Sequence, residues 1–133
     1  MAYEKELRTF FDLAPGEFPR FDCVLQGLGT DGHTASLFPD TDALFEKSRL
    51  VVANWIPSLQ SRRITLTLPV LNNARLAMFL VSGDSKAEIL KAVLAGSADN
   101  ADYPARLIQP AGGQLLWLAD RSAAHLIKVG NQA

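Results

Sequence analysis

The sequence predicts an α/β fold built on a mostly parallel sheet. Three observations lead there. Short apolar runs at 21–29 and 74–83 each end at glycines. The second is followed at once by a strongly helical stretch, 84–96. A third apolar run, 113–120, again has a helical stretch behind it. Strands that alternate with helices are joined by crossovers, and crossovers make neighbouring strands parallel. With 133 residues, 48% hydrophobic and 20% charged, the chain is long and apolar enough for one domain with a real core.

Taken in order, the first element is a helix in "MAYEKELRTFF". Tyr3, Leu7, Phe10 and Phe11 fall near helical spacing, and Pro15-Gly16 ends the segment. "FDCVLQGLG" (21–29) reads as a buried strand closed by a glycine turn. "TASLF" (34–38) reads as a short helix with Thr34 as its N-cap, stopped by Pro39. "RLVVANW" (49–55) is strand-like. So is "RITLTL" (63–68), where Ile64, Leu66 and Leu68 alternate with Thr65 and Thr67. "ARLAMFLVSG" (74–83) is an apolar strand ending in a turn. In the helix over 84–96, Ala87, Leu90, Val93 and Leu94 line one side and Gly96 closes it. "GQLLWLAD" (113–120) is a last strand and "RSAAHLIKVG" (121–130) a last helix, with Asp120 a candidate cap. Trp55, Trp117 and the phenylalanines are expected in the core.

Several function classes are set aside by composition. The net charge is −1 and there is no Lys/Arg run, which argues against nucleic acid as a partner. No apolar run approaches the roughly 18–20 residues of a membrane span. The acidic, amphipathic N-terminus is unlike a signal peptide. The single cysteine, Cys23, cannot form an internal disulfide; it reads as a small buried hydrophobe and fits a reducing cytoplasm.

In parallel α/β sheets, ligands sit in the turns beyond the carboxyl ends of strands. Two polar turns lie there: "GLGTDGHTASLFP" (27–39) and "SGDSK" (82–86). In the first, Gly27, Gly29 and Gly32 allow close backbone approach and can present N–H groups to an anion or oxyanion. His33 has the right chemistry for a general base near neutral pH. Asp31 stands two residues away and can orient the imidazole or bind a substrate hydroxyl. Spacing alone leaves a structural histidine and a catalytic one both open. A metal site lacks ligands: Asp31 and His33 have no third partner in the pattern, and His125 lies among alanines. Lys86 falls in the first turn of a helix, where a cation opposes the dipole, which points to an anion nearby. Arg63, beside Arg62, is either solvated or a binding group.

The stretch from Gly27 to Pro39 closely resembles, without a gap, the signature of the 6-phosphogluconolactonases. "RRITLTLPVLNNA" (62–74), "FLVSGDSKAEIL" (79–90), "YPARLIQP" (103–110) and "LLWLADRSAA" (115–124) resemble later segments of that family. The related glucosamine-6-phosphate deaminases share the Gly-x-Asp-Gly-His core but continue differently, so Thr34 to Phe38 favour the lactonases. The resemblance implies a three-layer α/β fold related to ribose-phosphate isomerases and CoA transferases, with helices on both faces of the sheet. It implies hydrolysis of 6-phosphoglucono-1,5-lactone, a phosphorylated sugar lactone, in the pentose phosphate pathway, with no metal or organic cofactor. It implies His33 as general base, with Asp31 and Gly32 shaping its loop. Gly29 and Gly32 then border the substrate, and Arg63 and Lys86 contact its phosphate or other groups.

The family's members are usually much longer. Their Gly-Gly-Ser/Thr turn and Asp-Glu-Arg segment are missing here: Gly112-Gly113 is followed by Gln114. The resemblance therefore implies that residues 1–133 are a single α/β domain matching the C-terminal portion of a lactonase, incomplete on its N-terminal side. Exposed strand edges and self-association are expected from that, and a non-catalytic sugar-phosphate-binding module is the alternative to an enzyme.

Overall fold

The computed structural model describes residues 1–96 and 102–128. Helix α1 is Ala2–Phe10, β1 is Val24–Gln26, β2 is Val51–Ile56 and β3 is Ser61–Leu66. Then come α2 (Leu68–Leu71), β4 (Leu76–Val81), α3 (Ala87–Ala95), β5 (Gln114–Ala119) and α4 (Arg121–Ala124). Short 3-10 turns lie at Asp42–Phe45, Pro57–Leu59, Asp84–Lys86 and Pro104–Leu107.

The expected α/β class with a parallel sheet is the one observed. Strands pair in the order β1-β4-β5, all parallel. The register places Val24 beside Ala77 and Gln26 beside Phe79, and Phe79 beside Trp117. Phe79 is fully buried and its ring stacks on Trp117 at 3.8 Å. With Val24, Ala77 and Val81 it forms the core that α3 covers through Ile89, Leu90 and Val93. Burying each such side chain stabilises the fold by roughly 1.5–3 kcal/mol. The other face of the sheet is also apolar, yet open: Leu25, Leu80, Leu116 and Leu118 are all exposed. Parallel sheets are normally covered on both faces.

Strands β2 and β3 form a separate antiparallel hairpin, with Val51 opposite Leu66 and Ile56 opposite Ser61. It packs with α1 through a second apolar cluster of Leu7, Leu50, Val51 and Val70. Glu4 on α1 accepts hydrogen bonds from the N–H groups of Leu50 and Val51 and ties the helix to the start of β2.

The structure corrects several details. The first strand is three residues long, and Leu25 on it is exposed because β1 is a sheet edge with one open face. Cys23, on the same parity as Leu25, is exposed rather than buried. In β3 and just after it the threonines turn inward: Thr65 and Thr67, the latter preceding α2, are buried and Ile64 is exposed. The hydroxyls decide this. Thr67 donates to Arg49 O (2.7 Å), and Thr65 Oγ1 accepts from Ser36 N (3.2 Å). Trp55, Phe10 and Phe45 are exposed, not core. Leu94 is exposed and Ile89 takes its place among the buried positions of α3. The last helix ends at Ala124; residues 129–130 of its expected span lie outside the described residues. Asp120 does cap it, accepting from Ala123 N at 2.8 Å.

Candidate active site

The loop beyond β1 is closed on itself by backbone hydrogen bonds. Gly29 N donates to His33 O and Gly32 N donates to Gly29 O, both at 2.9 Å. Gly32 has φ +83°, the left-handed region that glycine adopts without penalty. A Cβ there would also stand 2.6 Å from Tyr103 Cδ1. Ala105 N donates to Gly32 O (2.9 Å), so the 103–105 segment buttresses the loop from behind.

No helix follows this loop. Thr34, expected as an N-cap, turns its hydroxyl back toward Gln26 Oε1 and Gly27 O, each at 2.8 Å. Ala35 takes φ +51°, and Leu37 N donates to Thr34 O, so the chain makes a tight turn instead. His33 is therefore not at a helix N-terminus, and no helix dipole acts on it. The N–H of Gly32 is already engaged within the loop.

What the loop does hold is the imidazole. His33 Nδ1 lies 2.5 Å from Asp31 Oδ1, and the same oxygen accepts from His33 N at 3.0 Å. Burial pushes the Asp31 carboxyl up, but the His33 N–H, ring and charge together outweigh it and leave its pKa below the ordinary 3.8. A carboxylate only accepts, so Nδ1 carries a proton, and in the neutral ring Nε2 is the nitrogen that presents its lone pair. The ring is flanked by Phe38, stacked at 4.0 Å and 13°. The ring also rests against Gly29: a Cβ there would overlap Nδ1 and Cε1 and stand 2.8 Å from Asp31 Oδ1. The His33 side chain stays 31% exposed, open to a substrate.

Two concavities flank the ring. One, of about 470 Å³, is lined by Asp31, His33 and Arg63 together with Thr30, Ser36 and Ser58. The other, of about 330 Å³, is lined by His33 and Lys86 with Gly27, Leu28 and Gly29. Lys86 Nζ donates to Leu28 O at 2.6 Å. Five of the six residues picked from the sequence thus border one of these two spaces; Gly32, expected beside the substrate, lines neither, because its Cα faces Tyr103. Lys86 ends the 3-10 turn before α3 rather than sitting within the helix. Arg63 lies on β3, opposite Asn54, and its guanidinium has no hydrogen bond or ion pair among the described residues. Among those residues no group of three His, Cys, Asp or Glu could hold a metal ion. Nor is any helix long and apolar enough to cross a membrane.

Residues 1–117 match the family model for glucosamine-6-phosphate isomerases/6-phosphogluconolactonase. The chain belongs to that family. A 6-phosphogluconolactonase from Synechocystis is 48% identical over 126 residues, 95% of this chain and 51% of the relative. The solved 6-phosphogluconolactonase of Trypanosoma brucei superposes with TM-score 0.80 at 29% identity, covering 96% of this chain and 52% of that one. A monomeric glucosamine-6-phosphate deaminase superposes with TM-score 0.67 at 27% identity, covering 94% and 52%. The chain spans about half the length of the curated relatives that it matches.

Reading the sequence missed four contributors to this family site. Gln26 and Phe38 look like core residues, yet one anchors Thr34 and the other stacks on the imidazole. Tyr103 backs Gly32 from 71 positions away. Asp120 holds the turn before Lys86 through Ser82 and Gly83. Asp120 carried a signal as a candidate helix cap, whereas Phe38 and Tyr103 lay in family-like segments with no role attached to them.

Proposed function

We propose that this chain carries the proton-transfer centre of a 6-phosphogluconolactonase, the hydrolase that opens 6-phosphoglucono-1,5-lactone to 6-phosphogluconate in the pentose phosphate pathway. The observation that carries the reading is the His33–Asp31 pair, with its tautomer set and its ring packed on both Gly29 and Phe38. A lactone carbonyl is already electrophilic, so the reaction needs little beyond an activated water and a held substrate. His33 Nε2 takes a proton from water, and the hydroxide adds to C1. The tetrahedral intermediate then expels the ring oxygen, and His33 returns the proton to it. Asp31 holds the imidazole and stabilises the imidazolium formed in between. Gly29 lets the ring approach the backbone, and Gly32, backed by Tyr103, shapes the loop that carries it. Arg63 and Lys86 supply cations for the phosphate and the sugar oxygens on either side of the ring. Lys86 keeps two N–H donors beyond the one given to Leu28 O. Neither a metal nor an organic cofactor is required by these steps. The reading places the enzyme in the cytoplasm, where Cys23 stays reduced.

The test is a chimera in which this chain replaces the matching half of the Synechocystis relative. It should release 6-phosphogluconate from the lactone well above the spontaneous rate. Ammonia released from glucosamine 6-phosphate instead would favour the deaminase reading, against which Thr34 to Phe38 weigh. Binding of 6-phosphogluconate without any turnover would favour a non-catalytic module. We further propose that residues 1–133 are one α/β domain matching the C-terminal portion of a lactonase and supply only part of the pocket. Misplacing a substrate by about 1 Å lowers rates ~10²-fold, so the 133-residue chain alone should fall far below the chimera. Equal rates would refute this. The open face of Leu25, Leu80, Leu116 and Leu118 supports self-association of the isolated chain. Sedimentation should then show a concentration-dependent dimer that Leu118→Glu abolishes; a strict monomer at high concentration would contradict it.

A further inference from the structure

We propose that Asp120 is a positioning residue for the site: its carboxylate holds the Ser82–Gly83 turn, and through it Lys86, against the His33 loop. The proposal rests on the lactonase reading for the meaning of the site, but not for the mechanical link itself.

Asp120 follows β5 and caps α4, and a cap needs one acceptor contact, here Ala123 N at 2.8 Å. The carboxylate does more than cap. It accepts from Ser82 Oγ at 2.6 Å, and Gly83 N donates across both of its oxygens at 3.1 Å. Ser82 and Gly83 follow β4, so one side chain ties together the carboxyl ends of two adjacent parallel strands. The tie continues the ladder, because Asp120 N also donates to Val81 O (3.1 Å).

The held turn is an unusual one. Gly83 has φ +94° and ψ 150°, a combination essentially confined to glycine. Its N–H is directed at Asp120, and its carbonyl accepts from Lys86 N at 3.1 Å. Lys86 Nζ then reaches Leu28 O at 2.6 Å, one residue before the glycine that packs on the imidazole. The link from Asp120 to the dyad is therefore short and contiguous: Asp120, Gly83, Lys86, Leu28, Gly29, His33. The charge of the carboxylate matters, because an ionised carboxylate accepts at both oxygens with no donor of its own. The Ser82 hydroxyl and the N–H groups of Ala123 and Gly83 keep Asp120 below its ordinary carboxylate range.

Asn caps helices as well as Asp does, so Asp120→Asn keeps the cap while turning one acceptor oxygen into a donor that faces Ser82 or Gly83. Ser82→Ala removes the partner and leaves the cap untouched, and it carries the test should Asp120→Asn not fold. Both variants of the 133-residue chain should unfold within a few degrees of the parent. Both should nevertheless shift the backbone amide NMR signals of Leu28, Gly29 and His33. Those shifts should be absent when either change is made in a Lys86→Met background, and the two changes together should be less than additive. Where the parent binds 6-phosphogluconate, both should weaken it by about tenfold, the scale of a lost hydrogen bond to a charged group. Signals at 28–33 that stay in place in folded Asp120→Asn and Ser82→Ala would overturn the proposal. So would shifts that persist without the Lys86 amine. A parent chimera that binds no 6-phosphogluconate would count against the lactonase reading alone, since the NMR shifts of the 133-residue chain still decide the link.

Discussion

Replacing Gly29 by alanine is the sharpest small perturbation available at this site. The backbone accepts it, since Gly29 is not among the residues with positive φ. The side chain does not fit. An added methyl would overlap His33 Nδ1 and Cε1 and press on Asp31 Oδ1 at 2.8 Å, where ordinary contacts begin at 3.4 Å. The imidazole, stacked on Phe38 at 4.0 Å, has to move to make room. It must rotate out, and the 2.5 Å contact with Asp31 is lost. A displacement of about 1 Å at a reacting group lowers the rate ~10²-fold, or about 2.7 kcal/mol in the barrier. The assay is lactone hydrolysis by the chimera, read beside the unfolding midpoint and the downfield proton signal of His33 Nδ1–H. The expected result is a folded protein, slower by about two orders of magnitude, with that signal moved or gone. A folded Gly29→Ala protein with parent-like turnover and an unmoved signal would refute the account of how the ring is held.

Two further outcomes are expected. Arg63→Ala or Lys86→Ala in the chimera should impair the phosphorylated lactone more than glucono-1,5-lactone, which lacks the phosphate; equal losses on both would contradict the binding role. Glu46 accepts from the N–H groups of Arg49 and Ser48 and from the Arg49 guanidinium, which hold its pKa at about 2 against an ordinary 4.5. A depressed carboxyl stabilises the folded state fully above its ordinary value and loses that contribution as pH falls through the folded one. Glu46→Gln should therefore flatten the loss of stability between about pH 4.5 and 2, by a small and salt-sensitive amount because the group is near the surface. An acid limb unchanged by Glu46→Gln would contradict this.

The elements legible in the sequence were those whose patterns are local. Helix α3 and strands β4 and β5 show their periods directly, and the glycines beyond β1 mark the turn that carries His33. What escaped was set by distant partners. Thr34 reads as a cap, but its hydroxyl found Gln26 and Gly27 O, and the chain turned instead of coiling. Thr65 and Thr67 read as the outer face of β3, yet each satisfies its hydroxyl inside. Cys23 and Leu25 read as buried because a parallel strand is usually covered twice, whereas among the described residues one face of this sheet carries exposed side chains. At the site, His33 and Asp31 could be paired by spacing, but not the tautomer, the Phe38 stack or the fit against Gly29. Those need the fold of the loop, which Tyr103 and Ala105 complete from far along the chain.

The central claim is that His33 moves the proton. Its most direct test is the pH–rate profile of the chimera beside that of His33→Asn, with folded fraction measured on the same samples. Asparagine keeps hydrogen-bonding capacity and similar size but takes no proton. The account predicts that kcat falls by roughly 10²–10⁴-fold with substrate affinity within a few-fold. It also predicts that the parent's rate declines on the acid side as the imidazole protonates, and that this limb disappears in the variant. A folded His33→Asn chimera with near-parent turnover and the same acid limb would contradict the claim.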